Sequence, residues 1–415
     1  MTSISNNAEV SLSTSSRSSQ ILYQLILVCL VGMTLGTFRT ITPIFSETYL
    51  GIPQSDLLIL ATFVIFFGLV KAILNLYAGF WADQYGRKPI MLLGWLFAIP
   101  LPFLIYSASN WYWMIAMTIL LGIQQGICWS MTQIAKIDIS PVQQRGRIMG
   151  FNEFFGYVGV GVSGYLASYI SVLYSAKLSL VLLTSIFILL GFIISAFWMR
   201  ETQPSFSKNL KNSCSNSQSL APSRWWMFKQ VSWQDKKLFA ICQAALIEKF
   251  IDVLVWVFYP VFLVSFGLNL QESALIIAVY AMSWGTLQLL TGALSDYFGR
   301  LALICGGMLL CTFGISLLLW QNSFVFCIIS ALMTGTGMAM LYPTLGAALS
   351  DFCPIKWRSS AMGIYRFWRD LGYSIGALIL GTLSLFSSHI EFIITITALS
   401  MLISVAILIF YLKAK

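Results

Sequence analysis

Apolar residues run in long blocks along this chain, and short polar stretches separate them. Twelve blocks stand out, near positions 21–46, 56–80, 89–108, 111–135, 147–172, 176–199, 237–265, 272–294, 301–319, 323–349, 360–386 and 388–412. Each approaches or exceeds the roughly 20 residues that one α-helix needs to cross the hydrocarbon core of a bilayer. Helices are the prediction, because a helix satisfies its backbone hydrogen bonds internally; barrel strands would be shorter and alternate in polarity. Two polar stretches interrupt the series. Residues 1–20 are rich in Ser, Asn and Thr, lack a signal-like apolar core and read as a flexible tail. Residues 201–236 include Asn212-Ser-Cys-Ser-Asn-Ser-Gln-Ser219 and read as a linker between six-helix halves at 21–200 and 237–415. Trp225, Trp226 and Phe228 beside Arg224 and Lys229 place the end of that linker along the membrane interface. The predicted fold class is an all-α polytopic membrane protein with 12 transmembrane helices in two halves.

The two halves repeat. Gly79-Phe-Trp-Ala-Asp83-Gln-Tyr-Gly86-Arg87-Lys88-Pro89 returns as Gly292-Ala-Leu-Ser-Asp296-Tyr-Phe-Gly299-Arg300, an offset of 292 − 79 = 213. The same offset carries Asp138 onto Asp351, Pro141 onto Pro354, Arg145 onto Arg358 and Met149-Gly150 onto Met362-Gly363. A constant offset at separated points marks a duplicated unit. Many secondary transporters are built from duplicated halves, with the substrate site between them. The motif falls where block 2 meets block 3 and where block 8 meets block 9, and its chemistry suits a tight turn. Gly79 and Gly292 lack a Cβ, so a neighbouring helix can pack closely. Gly86 and Gly299 can take φ > 0. Asp83 and Asp296 can accept from free N–H groups at a helix start, or from an Arg. Arg87 and Arg300 anchor the turn at the headgroups.

Composition agrees with a bilayer and narrows the function. Only 9% of residues are charged and 58% are hydrophobic, against about 25% charged in a soluble domain. Of the 24 Lys and Arg, five fall inside blocks and only Lys177 on the loops of one side; the other 18 lie on the opposite side. Lys and Arg favour the cytoplasmic side, so both termini and the linker are predicted to be cytoplasmic, in a multi-pass cell (inner) membrane protein. The same asymmetry accounts for the net charge of +9, so nucleic acid is not a predicted partner. Predicted partners are the lipid bilayer and a small-molecule substrate, and the chain is expected to be a monomer. The eight Cys form no CxxC pair and the single His, His389, cannot build a His-based site, so no metal is predicted. No G-x-x-x-x-G-K-[ST] loop and no nucleophile–base constellation is present, so neither a cofactor nor an enzyme activity is expected.

The doubled motif, the twelve blocks, the long central linker and the repeat together resemble the major facilitator superfamily over nearly the whole chain. The family usually has Leu or a similar residue where Phe80 and Trp81 stand, and a basic residue where Gln84 stands. The resemblance implies alternating access, with the halves rocking about a central cavity. It implies that helices 1, 4, 7 and 10 line the cavity, that 2, 5, 8 and 11 flank it and that 3, 6, 9 and 12 face lipid. It also implies that Asp83 helps latch the cytoplasmic side. Gly79, Asp83, Gly86, Arg87, Arg145, Gly292, Asp296, Gly299, Arg300 and Arg358 are the candidate conformational switch. The stretch from Trp357 to Tyr373 is similar to a bacterial branch that includes magnetosome-associated proteins suspected of iron handling. The antiporter motif of drug exporters is incomplete: span 5 has Gly156, Gly159, Gly161 and Gly164 but lacks the Pro of its Gly-Pro pair.

Ionisable side chains near the centre of a span cost about 2.5–3.5 kcal/mol each, so those present are functional candidates. Nine fall inside: Arg39, Lys71, Glu153, Glu248, Lys249, Asp252, Arg366, Arg369 and Asp370. Arg366, Asp370 and Tyr373 share a face of span 11; Lys71, Asn75 and Gly79 share a face of span 2. In the implied fold these spans pack across the halves, which makes Lys71 and Asp370 a candidate pair. The 213 offset maps Glu153 onto Arg366. Glu248 and Asp252 are like-charged and one turn apart, and with Glu153 and Asp370 they are the candidates for proton coupling. Arg39, Lys71, Gln125, Trp129, Gln133, Trp256, Tyr259, Gln288, Arg366, Arg369 and Tyr373 are the candidates for substrate binding. The competing reading for any one charge is a fixed interhelical ion pair. Five bases against four acids, with three bases on spans 2 and 11, favour an anionic solute, because Arg fits carboxylates through its planar fork. The function read from the residues is a proton-coupled secondary active transporter of a small organic solute, taken as a carboxylate and including metal chelators such as siderophores. One rival is proton-driven multidrug efflux, which would want an acid-dominated cavity. The other is a non-transporting sensor or scaffold, which would keep the motif turns and tolerate loss of the cavity charges.

Overall fold

The computed structural model describes residues 14–53, 56–140, 145–202, 223–320, 323–353, 357–386 and 390–413. The predicted tail before residue 14, Cys214 with the core of the linker, and His389 lie outside the described residues. The described residues form twelve long helices and no strand. They are α1 Thr14–Leu50, α2 Leu57–Tyr85, α3 Arg87–Ser107, α4 Trp111–Asp138, α5 Arg145–Leu173 and α6 Ala176–Phe197. The second half has α7 from Lys236, α8 Leu270–Phe298, α9 Arg300–Leu319, α10 Phe324–Phe352, α11 Arg358–Leu383 and α12 Ile390–Lys413.

Local chemistry explains where the helices start and bend. Asp56, Asn110, Ser175 and Asp235 each cap a helix by accepting from a backbone N–H of its first turn. Asn269 and Glu272 form a reciprocal capping box on α8. α3 breaks at Pro100, which has no N–H to give. α7 runs as Lys236–Val253, widens into a π turn at Leu254–Phe258 and continues as Tyr259–Ser265. Just before Pro260, the Tyr259 N–H reaches back to the Leu254 carbonyl, one residue further than in an α-helix.

Ten of the helices are long and apolar enough to cross a bilayer by length and composition alone. The remaining two, α7 and α11, carry Glu248, Lys249 and Asp252, and Arg366, Arg369 and Asp370. Those charges sit on helices packed inside the bundle, where protein and not lipid surrounds them. The buried share of the apolar segment is 72% in α4 but 39% in α6, so α4 is central and α6 peripheral, as the resemblance implies. Twelve traverses put Thr14, Lys413 and both motif turns on one face of the bundle, here called the motif face.

The halves meet through α2 against α11 and α5 against α8. Glycine permits these approaches. A Cβ on Gly68 would lie 2.5 Å from the Tyr373 Cβ, and one on Gly285 would lie 2.9 Å from the Tyr157 Cβ. Gly79 and Gly292 correct the expectation of close packing: a Cβ on either would meet nothing within 4 Å. Both sit nearer the motif face, and Gly363 on α11 is equally open.

The motif turns keep the predicted glycines and change the predicted anchors. Gly86 has φ 98° and Gly299 has φ 88°. Arg87 is buried and does not reach the headgroups. Its Nε lies 2.7 Å from Asp138 Oδ2 and its Nη1 donates to the Ala82 carbonyl at 3.0 Å. The duplicate follows the 213 offset: Arg300 Nε lies 3.2 Å from Asp351 Oδ2. The free N–H groups that start α3 go to Glu201, at 2.8 Å from Arg87 N and 3.1 Å from Lys88 N, and so are not left for Asp83. The side chains of Asp83, Asp296, Arg145 and Arg358 lie outside the described residues. Glu201→Ala is expected to remove this cap and lower stability by ~1 kcal/mol, the usual size of a lost N-terminal cap. Thermal unfolding of the purified variant checks it, and an unchanged midpoint would show that water replaces the carboxylate.

Candidate functional site

A tight cavity of about 10 Å³, room for little more than one water, lies between the halves. From α2 it is lined by Lys71 and Asn75, from α4 by Trp129 and Gln133, and from α11 by Arg366, Arg369, Asp370 and Tyr373. Lys249 of α7, Tyr157 of α5 and Tyr342 of α10 complete the polar and aromatic wall. Seven of the candidate site residues, spread over α2, α4 and α11, therefore converge.

Among the described residues, Asp370 is the only carboxylate on that wall. Arg369 Nε lies 3.0 Å from its Oδ1, and Lys71 Nζ lies 3.8 Å from its Oδ2. The expected Lys71–Asp370 pair is thus present across the halves, with Asn75 inserted as the hydrogen-bond donor to the same oxygen. Asn75 Oδ1 in turn accepts from Ser130 at 2.9 Å. Aromatic rings cover the bases: Arg369 lies 4.4 Å from the Tyr342 ring centroid, and Lys249 lies 4.7 Å from that of Trp284.

Glu153 and Arg366, related by the repeat, are joined through Gln133. Arg366 donates to Gln133 Oε1, and Gln133 Nε2 donates to Glu153 Oε1. Trp129 Nε1 at 3.1 Å and Asn152 Nδ2 at 2.8 Å donate to the same Glu153 oxygen. Glu153 is therefore held by neutral donors, behind the cavity wall. Lys136, counted by sequence among the loop bases, is fully buried nearby and donates to the Gln24 carbonyl at 3.3 Å and to Asn152.

On the side away from the motif face, a polar and aromatic layer closes the cavity. Arg39 of α1 pairs with Asp252 of α7 across the halves. Tyr373 also donates to Asp252, Tyr280 does so at 3.4 Å, and Lys249 Nζ lies 3.8 Å away. Trp256 covers the Arg39 guanidinium at 4.8 Å and packs edge-on against Phe63 and Phe67 at 5.5 and 4.9 Å. Ser374 of α11 donates to the Ile65 carbonyl of α2 at 2.7 Å in the same layer.

Five substrate-binding candidates do not line the cavity. Arg39 and Trp256 belong to the closing layer. Gln125 donates to the Val31 carbonyl at 2.8 Å inside the first half. Tyr259 turns its hydroxyl to Ser330, 3.4 Å away inside the second half. Gln288 is buried, and neither of its polar side-chain atoms bonds a described residue. Glu248 also sits behind the wall, 3.4 Å from Lys249 Nζ. Sequence reasoning left Lys249, Tyr157 and Tyr342 out of the binding set. Lys249 was legible as an intramembrane charge, whereas nothing in their local sequence separates the two tyrosines from other core aromatics.

Solved structures share this architecture. The crystal structure of a mutant form of the nucleoside transporter NupG superposes with a TM-score of 0.75 at 12% identity, covering 94% of this chain and 99% of that one. The human organic anion transporter MFSD10 (TETRAN) superposes with a TM-score of 0.70 at 14% identity, with the same coverage of 94% and 99%. At such identities the likeness establishes the fold. The sequence pattern of the Major Facilitator Superfamily matches residues 24–377 and again 238–415. With that match over most of its length, and a charged cavity between duplicated six-helix halves, the chain belongs to the major facilitator superfamily of membrane transporters.

Proposed function

We propose that the protein is a proton-coupled secondary transporter of a small organic anion. The observation that supports this best is the charge of the cavity wall: Lys71, Lys249, Arg366 and Arg369 face one carboxylate, Asp370. Among the described residues no carboxylate oxygen lies within 4.0 Å of Arg366. A guanidinium at this depth without an anion is costly, and a carboxylate can engage it through two parallel hydrogen bonds. Amides from Gln133 and Asn75 and rings from Trp129, Tyr157 and Tyr342 suit the organic part of such a solute. The stretch that is similar to the magnetosome-associated branch supplies Arg366, Arg369 and Asp370. A metal-chelating polycarboxylate is therefore the substrate class favoured within the anions.

Coupling is assigned to Glu248, because it touches Lys249, a cavity base whose other carboxylate neighbour is Asp252 at 3.8 Å. Lys249 Nζ makes no hydrogen bond among the described residues and lies between Glu248 at 3.4 Å and Asp252 at 3.8 Å. A proton on Glu248 leaves Lys249 to Asp252 or to the solute. The basic asymmetry of the sequence favours a cytoplasmic motif face in a cell (inner) membrane, with the chain a monomer.

Thermal stabilisation of the purified protein by citrate, succinate, a ferric siderophore, a sugar and a lipophilic cation tests the substrate class. An acid at 100 times its Kd is expected to add about 2.7 kcal/mol. Stabilisation by the lipophilic cation alone would overturn the reading and favour drug efflux. With the solute in hand, Glu248→Gln is expected to abolish pH-driven accumulation and retain exchange. Undiminished accumulation removes Glu248 from the coupling role.

A further inference from the structure

We propose that the segment Arg224–Lys229 with Gln230–Gln234 is a docking surface for anionic lipid headgroups, and that it transmits lipid charge to α11. Ser223 caps the short helix by accepting from Trp226 N at 3.1 Å, and a π turn leads to the Asp235 cap of α7. Met227, Val231 and Ser232 face inward. The outward face exposes Trp225, Trp226 and Trp233 by 62%, 42% and 48%. Arg224 and Lys229 are exposed on the same segment, and Lys236 is exposed just beyond it at the start of α7. Three half-exposed indoles are a poor surface for water, and three cations are a poor surface for acyl chains. The headgroup layer accommodates both, and anionic headgroups complement the cations. Lys229 Nζ lies 5.4 Å from the Trp225 ring centroid, so cation and indole form one patch.

The inward side is tied to α11. Trp368 Nε1 donates to Ser232 Oγ at 2.8 Å. Phe228 stacks on Trp368 at 6.3 Å and meets Phe367 edge-on at 5.8 Å; Trp233 meets Trp368 at 6.0 Å. The residues flanking Phe367 and Trp368 are Arg366 and Arg369, which line the cavity. One helix thus carries the patch contacts on one face and the cavity cations on another, and a displacement of the patch is a displacement of those cations.

The test is amide hydrogen exchange of the full chain in nanodiscs of phosphatidylcholine, with and without about a third phosphatidylglycerol. Exchange at 224–235 is expected to slow at least about fivefold in the anionic discs, the factor that one cation near a charged surface supplies. The first turns of α11 should slow with it. Arg224→Gln with Lys229→Gln should remove both responses. Trp368→Phe keeps a ring and loses the donor; it should retain the response at 224–235 and lose that of α11. Equal exchange at 224–235 in the two discs overturns the docking surface. An α11 response that survives Trp368→Phe overturns the transmission. Exchange across α1 to α6 reports folding of every variant in the same run. No solute is required, so the outcome stands whatever the cavity binds.

Discussion

Arg366→Gln is expected to weaken binding of an anionic solute by about 10- to 100-fold while leaving the fold intact. A hydrogen bond to a charged group contributes about 1.5–3 kcal/mol, which is that range of affinity. Arg366 is half-buried on the cavity wall, and its side chain is bonded to Gln133 Oε1. Removing the guanidinium therefore breaks no ion pair with a described residue and relieves an uncompensated charge. Stability should stay level or rise as affinity falls, and a purely structural residue would not separate the two. Arg366→Lys keeps the charge and loses the planar fork, so it should recover only part of the affinity. Calorimetric titration of the acid found by the stabilisation screen, with melting curves of both variants, provides the measurement. Unchanged affinity in both variants would remove Arg366 from the binding site.

The same residue shows how far the sequence could be read. The fold was legible because a bilayer imposes helix length and apolarity, and because the 213 offset exposed the duplication. The offset also relates the bridges Arg87–Asp138 and Arg300–Asp351 to each other, although the residues alone had placed both arginines at the headgroups. It also matched Glu153 with Arg366, but the bridge between them is Gln133, a residue of α4 that the offset matches to Gly346, which has no side chain to bridge with. Long-range partners of this kind leave no local trace. Glu201 is another: it caps α3 from more than a hundred residues away, and the offset leads to Ala414, which has no carboxylate. Helix phase accounts for Tyr259. A π turn inserts a residue and adds roughly 100° of rotation, so side chains beyond it leave the face that a uniform helix predicts. The π turn at Leu254–Phe258 fits Tyr259 facing Ser330 instead of the cavity. The closing layer was missed for a different reason. Arg39, Asp252, Trp256 and Tyr373 were each legible as intramembrane polar or aromatic groups, but their assembly into a barrier depends on two halves meeting.

That barrier carries the second large effect. Arg39 is 3% exposed and Asp252 fully buried, and they join α1 to α7 across the halves. Breaking a buried pair by removing one partner typically costs about 3–5 kcal/mol, because the survivor keeps its charge and loses its counterion. The two single variants are not equivalent. In Arg39→Gln, Asp252 retains Tyr373 and the Lys249 ammonium 3.8 Å away. In Asp252→Asn, Arg39 and Lys249 both lose a carboxylate, so this variant should suffer more. Because the pair spans the halves, its loss should act on the closed arrangement more than on either six-helix half. A bias of about 3 kcal/mol shifts a two-state equilibrium by more than 100-fold. A cysteine at Thr40, in the small neighbouring pocket lined by Arg39 and Tyr280, reports that shift. In a background with the other cysteines replaced, an impermeant thiol reagent should label Thr40→Cys at least tenfold faster when Asp252→Asn is added. Arg39→Gln should give a smaller increase, and the double variant should fall below the sum of the two free-energy changes, because its second substitution removes an already orphaned partner. Lowered melting with unchanged labelling would make Arg39–Asp252 a packing contact. Faster labelling would make it the bond that holds this side of the transporter shut.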